Sequence, residues 1–405
     1  MPNFKKTIVL ALLILELLFF QKALAQGGYL LAKGKILDKN TNLPLIDAYI
    51  SIPSIGYGTS PNIDGDFLFQ YPKISIDSMV NISHIGYKSL EIRANELQKE
   101  NNVFNLEAIP LFDANYGLSD VRIMLMAAVD SVKKTFNNQP YFQLGFYHEQ
   151  VNLKNLGAIK INEGVVRIER FPDTKEKIEK VKLLRGRRIE WKGQSSKING
   201  WGFQNGTSLV CRSLETTIPD FLQKKQMKKY DYRLDSLMSS YNDLPLFIIH
   251  FWPLNDRSKG SKRGTIYLEP ETKTIVRIEY FLTEKGVNNL IDRKAGPVKI
   301  DGKSTKMVFQ YSKFNNKWSL QSSRADFVIN FEDNLDKKYS VDTEIMMRYI
   351  AFENLKLLKS GIYENEILNS TDNFIATNSV NTEYWSPYSY LLNTLEASKL
   401  SKVLR

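Results

Sequence analysis

A chain of 405 residues, 43% hydrophobic and 24% charged, is long enough for two or three domains and apolar enough to build their cores, which excludes wholesale disorder. Three histidines and one cysteine leave few possible metal-ligand sets and no internal disulfide. The formal charge of +11 points to anionic partners such as lipid headgroups or acidic glycans.

Lys5 and Lys6 precede an apolar run over 8–20, and Ala23-Leu24-Ala25 has the small-x-small pattern of a signal-peptidase site. The pattern predicts a signal peptide over 1–25 and an exported protein, which removes nucleic acid as a partner. No cysteine stands near the cleavage point to carry a lipid anchor. Loss of Lys5, Lys6, Lys22 and Glu16 takes the charge from +11 to +9, so the mature chain stays basic. No later segment approaches the roughly 20 apolar residues of a spanning helix.

Residues 26–110 read as a small module of short strands. Alternation predicts strands over 29–37, 48–52, 67–71, 79–83, 87–92 and 103–106, divided by turns such as 38–42 ahead of Pro44 and the hairpin at Asp64-Gly65. Short strands at this spacing, with no helix-length periodic segment, predict a Greek-key β-sandwich. Asn62, Asp64 and Asp66 have the spacing of a calcium loop, but Gly65 is misplaced and Lys73 stands where the bidentate acid belongs. His84 has no second His or Cys within motif distance and reads as structural.

Gly34-Lys35-Ile36-Leu37-Asp38, Leu43-Pro44-Leu45-Ile46-Asp47-Ala48, Gly56-Tyr57-Gly58-Thr59, Asp64-Gly65-Asp66-Phe67 and Ile82-Ser83-His84-Ile85-Gly86-Tyr87-Lys88 follow one another in a recognisable order. Together they resemble the carboxypeptidase-regulatory-like domain at the front of secreted Bacteroidetes envelope proteins. The resemblance implies a transthyretin-like (prealbumin-like) sandwich that scaffolds or interacts and does not hydrolyse. Ile46-Asp47 departs from it, standing where a Pro-Gly pair is often found.

A helical connector is expected over 111–140. Ser119 or Asp120 can cap a helix to about residue 136, with Val121, Met124, Leu125, Ala128, Val132 and Phe136 near one face. Ser131 and Lys134 make an S-x-x-K match without its companion motifs.

Residues 141–370 read as a larger antiparallel β-rich domain. The segment 139–149, with 163–166, 181–188 and 264–268, is similar to the C-terminal portion of proteins that carry the same front sandwich, and that similarity implies no activity. His148 stands where those relatives often carry Arg. Long alternating strands run over 275–282, through Met307, Phe309 and Tyr311, through Phe327, Ile329 and Phe331, and over 339–349, with turns at Asn315-Asn316 and Asp333-Asn334. Such a meander buries one face of a curved sheet. The covers expected for it are the helix at 120–136, the lysine-rich stretch 218–237 and a helical tail over 371–405. By fold analogy this is the half-barrel of periplasmic lipoprotein carriers. About ten long alternating segments fall short of the roughly 22 strands of an outer-membrane transporter barrel.

Catalytic constellations fail one after another. H-E-x-x-H breaks at Asn152, and G-x-S-x-G breaks at Lys197. His250 reads as structural, Glu269 and Glu271 as an acidic pair that matters only across a cleft, and Cys211 as a buried thiol. The basic groups Arg185, Arg187 and Arg188, and Lys224, Lys225, Lys228 and Lys229, read as solvated faces. Trp191, Trp201 and Phe203, in a stretch rich in Gly, Ser, Asn and Lys, are the candidate ligand-binding residues.

The expectation is a mainly β, non-enzymatic protein of the periplasm or outer membrane, without cofactor, that binds or scaffolds a partner protein, lipid or glycan. Peripheral contact with an anionic membrane surface accords with its charge. The alternative is a periplasmic lipid or lipoprotein carrier with an apolar pocket under the curved sheet, and a further alternative is an unrecognised hydrolase.

Overall fold

The computed structural model describes residues 28–113, 120–154, 157–172, 178–190, 206–255, 261–283, 286–287, 293–295, 298–333, 340–357 and 375–376. The signal region and the stretch holding Trp191, Trp201 and Phe203 lie outside the described residues.

The front module contains β1 (Tyr29–Asp38), β2 (Tyr49–Ile52), β3 (Tyr57–Thr59), β4 (Asp66–Pro72), β5 (Met79–Ser83), β6 (Leu90–Arg93) and β7 (Asn102–Leu106). β1 pairs antiparallel with β4 and parallel with β7, while β2 pairs with β3 and β5, and β5 with β6. The two sheets meet across one core in which Ile36, Phe67, Phe69 and Phe104 face Ile50, Ile52, Val80 and Ile82. Every second side chain of each strand points there, so the predicted alternation is the packing pattern of a sandwich. β3 is the strand the sequence hides, because Tyr57-Gly58-Thr59 is too short to show a period.

The Asn62 turn is held by its own side-chain-to-backbone hydrogen bonds. Asn62 Oδ1 accepts from the backbone N–H groups of Asp64 and Asp66 at 2.9 and 2.8 Å, and Gly65 supplies the left-handed backbone at φ 79°. Asp66 pairs with Lys35 at 2.7 Å.

The second region runs through β8 (Phe112–Asp113), α1 (Val121–Thr135), β9 (Tyr141–Leu153), β10 (Gly157–Phe171), β11 (Ile178–Glu190), α2 (Gly206–Val210), β12 (Tyr230–Tyr241), β13 (Leu244–Pro253), β14 (Lys262–Glu269) and β15 (Thr274–Leu282). β16 (Arg293–Ala295), β17 (Val298–Phe314), β18 (Lys317–Asp333), β19 (Ser340–Leu357) and β20 (Ile375–Ala376) complete it. Ten of these strands form one antiparallel sheet in the order β11-β10-β9-β19-β18-β17-β15-β14-β13-β12. Among the described residues the end strands β11 and β12 do not pair with each other, so the sheet curls without closing. Bulges at Ala158/Lys160, Val165/Val166, Gly302/Ser304 and Gln310/Tyr311 add the local twist that curling requires.

The tight turn between β17 and β18 is at Asn315-Asn316, both at positive φ, as a two-residue hairpin demands. The second expected turn, at Asp333-Asn334, runs past the described residues, although β18 and β19 do pair antiparallel. Asp120 caps α1 by accepting from the Arg122 N–H at 2.8 Å, and Leu125, Ala128 and Val132 bury the apolar stripe. Of the stretch 218–237 only the first part covers the sheet, as two three-residue turns, Asp220–Leu222 and Met227–Lys229. From Tyr230 onward it is β12 itself, because Tyr230 and Tyr232 resume a period of two that the neighbouring lysines mask in composition. The expected helical tail lies outside the described residues except for β20, a two-residue strand beside β11.

The front module docks on the sheet face opposite α1. Asp47 enters a group of arginines, accepting from Arg277 Nη2 at 2.8 Å and from Arg324 Nη1 at 3.2 Å. Arg348 donates to the carbonyls of Pro61 and Ile46 at 2.8 and 2.9 Å. Burial alone would raise the Asp47 carboxyl, but Arg277, Arg324 and Arg348 hold it well below the usual carboxylate range. The Tyr49 hydroxyl donates to Ala351 O at 3.0 Å, beside an apolar cluster of Tyr49, Phe146, Val165, Ile350 and Phe352.

Candidate functional site

The inner face of the curled sheet carries the largest cluster of buried apolar side chains among the described residues. Val151 of β9, Ile278 of β15, Phe309 of β17, Phe327 of β18 and Met347 of β19 line it. Leu125, Ala128 and Val132 of α1 and Val210, Leu214, Phe221, Leu222 and Met227 of the segment 206–229 complete the same cluster from above. Phe221 stacks on Phe251 with ring centroids 4.2 Å apart. The face is thus filled by the protein's own side chains.

A buried polar network joins this cover to one edge of the sheet. Arg170 of β10, with none of its side chain exposed, donates through Nη2 to Cys211 O at 2.7 Å, through Nε to Glu179 at 3.2 Å and through Nη1 to Gln143. Glu215 of the cover accepts from the hydroxyls of Tyr141 and Ser213, and Glu179 accepts from Ser213 N at 3.0 Å and from the Thr216 hydroxyl. Burial works against the charge on Arg170, yet Tyr141, Glu179 and Glu215 hold its pKa above the ordinary value. Burial pushes the Glu179 carboxyl up, with Arg170 opposing.

A second polar pair lies where the cover begins. Glu149 accepts from the Tyr147 hydroxyl at 2.7 Å and from Asn162 Nδ2 at 3.2 Å, and burial raises its pKa. Gly206 passes so close that a β-carbon there would sit 2.4 Å from the Tyr147 hydroxyl oxygen.

The residues singled out in the sequence fall mostly into structural roles. His250 lies between Asp235 at 3.1 Å and Thr265 at 3.2 Å. His84 donates from Nδ1 to Ile85 O at 2.7 Å, and burial together with Arg277 brings its pKa down to about 4. Ser131 bonds to the carbonyls of Ala128 and Lys273 on α1's flank. Glu269 accepts from the N–H groups of Glu271 and Thr272, both at 2.8 Å, so this acidic pair closes a turn and does not face a cleft. Cys211 is 1% exposed, and burial pushes its thiol up.

Lys224, Lys225, Lys228 and Lys229 are exposed, as a solvated face requires. Arg187 overturns the same expectation for its cluster. It is buried, donating to Glu163 Oε2 at 2.8 and 2.6 Å from Nε and Nη2. His148 takes the other oxygen of Glu163 at 3.2 Å. Burial would raise Glu163, but His148 and Arg187 hold it low. These three side chains form one cross-strand row that continues through Arg348 to Arg324.

Sequence reasoning missed the Arg170 network and the Asp47 group. A signal for the first existed: Val166, Ile168 and Arg170 share one parity on β10, which places a cation on an apolar face. Among the described residues no group of three His, Cys, Asp or Glu side chains could hold a metal ion, and no helix is long and apolar enough to cross a membrane.

The chain matches no protein-family model and no curated protein. It is similar to solved structures at low identity. A DUF1329 family protein from Desulfovibrio piger shares 13% identity, over 60% of this chain and 94% of that one, at a TM-score of 0.25. A LolA superfamily protein from Nitrosomonas europaea shares 9%, over 60% and 96%, at 0.24. A membrane-associated protein of unknown function from Bacteroides fragilis shares 8%, over 81% and 98%, at 0.16.

Proposed function

We propose that this chain is an exported, non-enzymatic envelope protein that carries an acyl-bearing lipid or lipidated protein on the inner face of its curled sheet. The observation that supports the reading is the nature of the cover. Among the described residues, what lies across that face is α1, the residue Val287 and a segment, 206–229, that is held by side chains and short turns and adds no strand to the sheet. Such a segment opens more readily than strands do.

Exposing Val210, Leu214, Phe221, Leu222 and Met227 costs on the order of 10 kcal/mol at about 1.5–3 kcal/mol for each side chain. An acyl chain of about 15 methylenes recovers a similar amount at about 0.8 kcal/mol each. The apolar contributions of cover and ligand are therefore close to equal, and lifting residues 211–216 also breaks the Arg170 contacts with Cys211 O and Glu215.

One observation favours a second reading. The face is packed by protein side chains, as a scaffold that recognises partners on its outside would have it. Paramagnetic doxyl-stearate added to methyl-labelled protein separates the two. A carrier shows broadening of Leu125, Ile278 and Met347 methyls while Ile36 and Val80 of the front module stay sharp. If the inner-face methyls are untouched, the carrier reading falls and the scaffold reading stands.

A further inference from the structure

Where the front module meets the sheet, a cavity of about 310 Å³ lies between β2, β3 and β5 on one side and the β12–β13 and β17–β18 hairpins on the other. This is within the roughly 300–1,000 Å³ of small-molecule sites and accommodates one or two sugar rings. Its floor is held in place: the Tyr49 hydroxyl donates to Ala351 O at 3.0 Å and the Tyr241 hydroxyl to Gln321 Oε1 at 3.0 Å. Its rim carries groups with nothing to bind. Among the described residues, the side chains of Ser51, Asn81, Ser312 and Lys313 have no hydrogen-bond or ion-pair partner within the protein. The rings of Tyr57 and Phe314 are partly exposed beside them.

We infer that this junction cavity binds an acidic saccharide, with its rings against Tyr57 and Phe314 and its acid group on Lys313. Aromatic faces suit the C–H side of a sugar ring, and hydroxyl and amide side chains suit its hydroxyls. Free polar groups disfavour an acyl chain, which would leave each of them desolvated and unpaired. The described lining has one cation, Lys313, and no carboxylate, so a negative charge on the sugar is matched and not repelled. The site exists only when both modules are docked, because neither supplies all of its walls. It is separate from the inner face and stands or falls independently of the carrier reading.

Calorimetric titration of the full mature chain with glucose, glucuronic acid and glucose 6-phosphate tests the inference. The acidic sugars bind more tightly than glucose, and the tighter of the two tells whether the recognised group is a carboxylate or a phosphate. Tyr57→Ala weakens binding at least tenfold. Lys313→Gln, at an exposed position that the fold does not need, brings the acidic sugars down to the affinity of glucose. Binding of none of the three sugars to the unaltered protein overturns the proposal, as does an acid preference that survives Lys313→Gln.

Discussion

Arg170 shows how much rests on one side chain. Itself wholly out of water, it pairs with Glu179, lies 3.9 Å from Glu215 and holds the Cys211 carbonyl. Arg170→Met leaves buried carboxylates without their cation and is expected to cost about 3–5 kcal/mol in urea denaturation. Arg170→Lys recovers only part of this, since an ammonium cannot reach Glu179, Gln143 and Cys211 O in one geometry. Glu179 sets a pH dependence. Its folded-state pKa is raised, so its contribution to stability is complete below the usual value of about 4.3 and is lost as pH rises through the raised value. Amides of 211–216, corrected for intrinsic rates, should therefore exchange more slowly at pH 4, below the usual carboxylate value, than at pH 7, and Glu179→Gln should flatten the difference.

At the level of elements, α1 was legible except for the choice of cap. Its stripe and its end follow from a 3.6-residue period that local sequence displays, while the structure chose Asp120 over Ser119. Asp120→Ala should lower stability by about 0.5–2 kcal/mol through the lost cap. Leu125→Ala, deep in the inner-face cluster, should cost about 2–5 kcal/mol, and thermal melts would rank the two. The long strands were legible in their middles and not at their ends: β17 to β19 run past the expected segments, because an edge of polar residues still pairs when a neighbour offers a ladder. The cover was the least legible. Its turns carry no period, and its lysines, Lys224, Lys225, Lys228 and Lys229, are all exposed.

For the whole molecule, the arrangement that matters is a sandwich docked on one face of a curled sheet whose other face is covered by α1 and 206–229. Asp47 fastens that docking. Asp47→Asn removes the anion that Arg277 and Arg324 share and should cost about 3–5 kcal/mol, read as separate melting of the two modules in place of one transition. The Asp47 pKa is lowered on folding, so this contribution is present above the usual carboxylate value of about 3.9 and lost as pH falls through the folded value. Acid should undock the front module while the cover, which depends on Glu179, tightens.

The sequence by itself determined the two β-rich regions, the connecting helix and the absence of the familiar metal and serine motifs, because each is written in residues close together in the chain. It also marked Ile46-Asp47 as a departure from the resembled pattern without saying why. Only the tertiary structure showed that Asp47 meets Arg277 and Arg324 from strands more than two hundred residues away. The same holds for Arg170, and for Tyr57 and Phe314, which line one cavity at the junction. Pairing partners in an antiparallel sheet are chosen by register and curl, and no local period encodes which distant side chains those choices bring together.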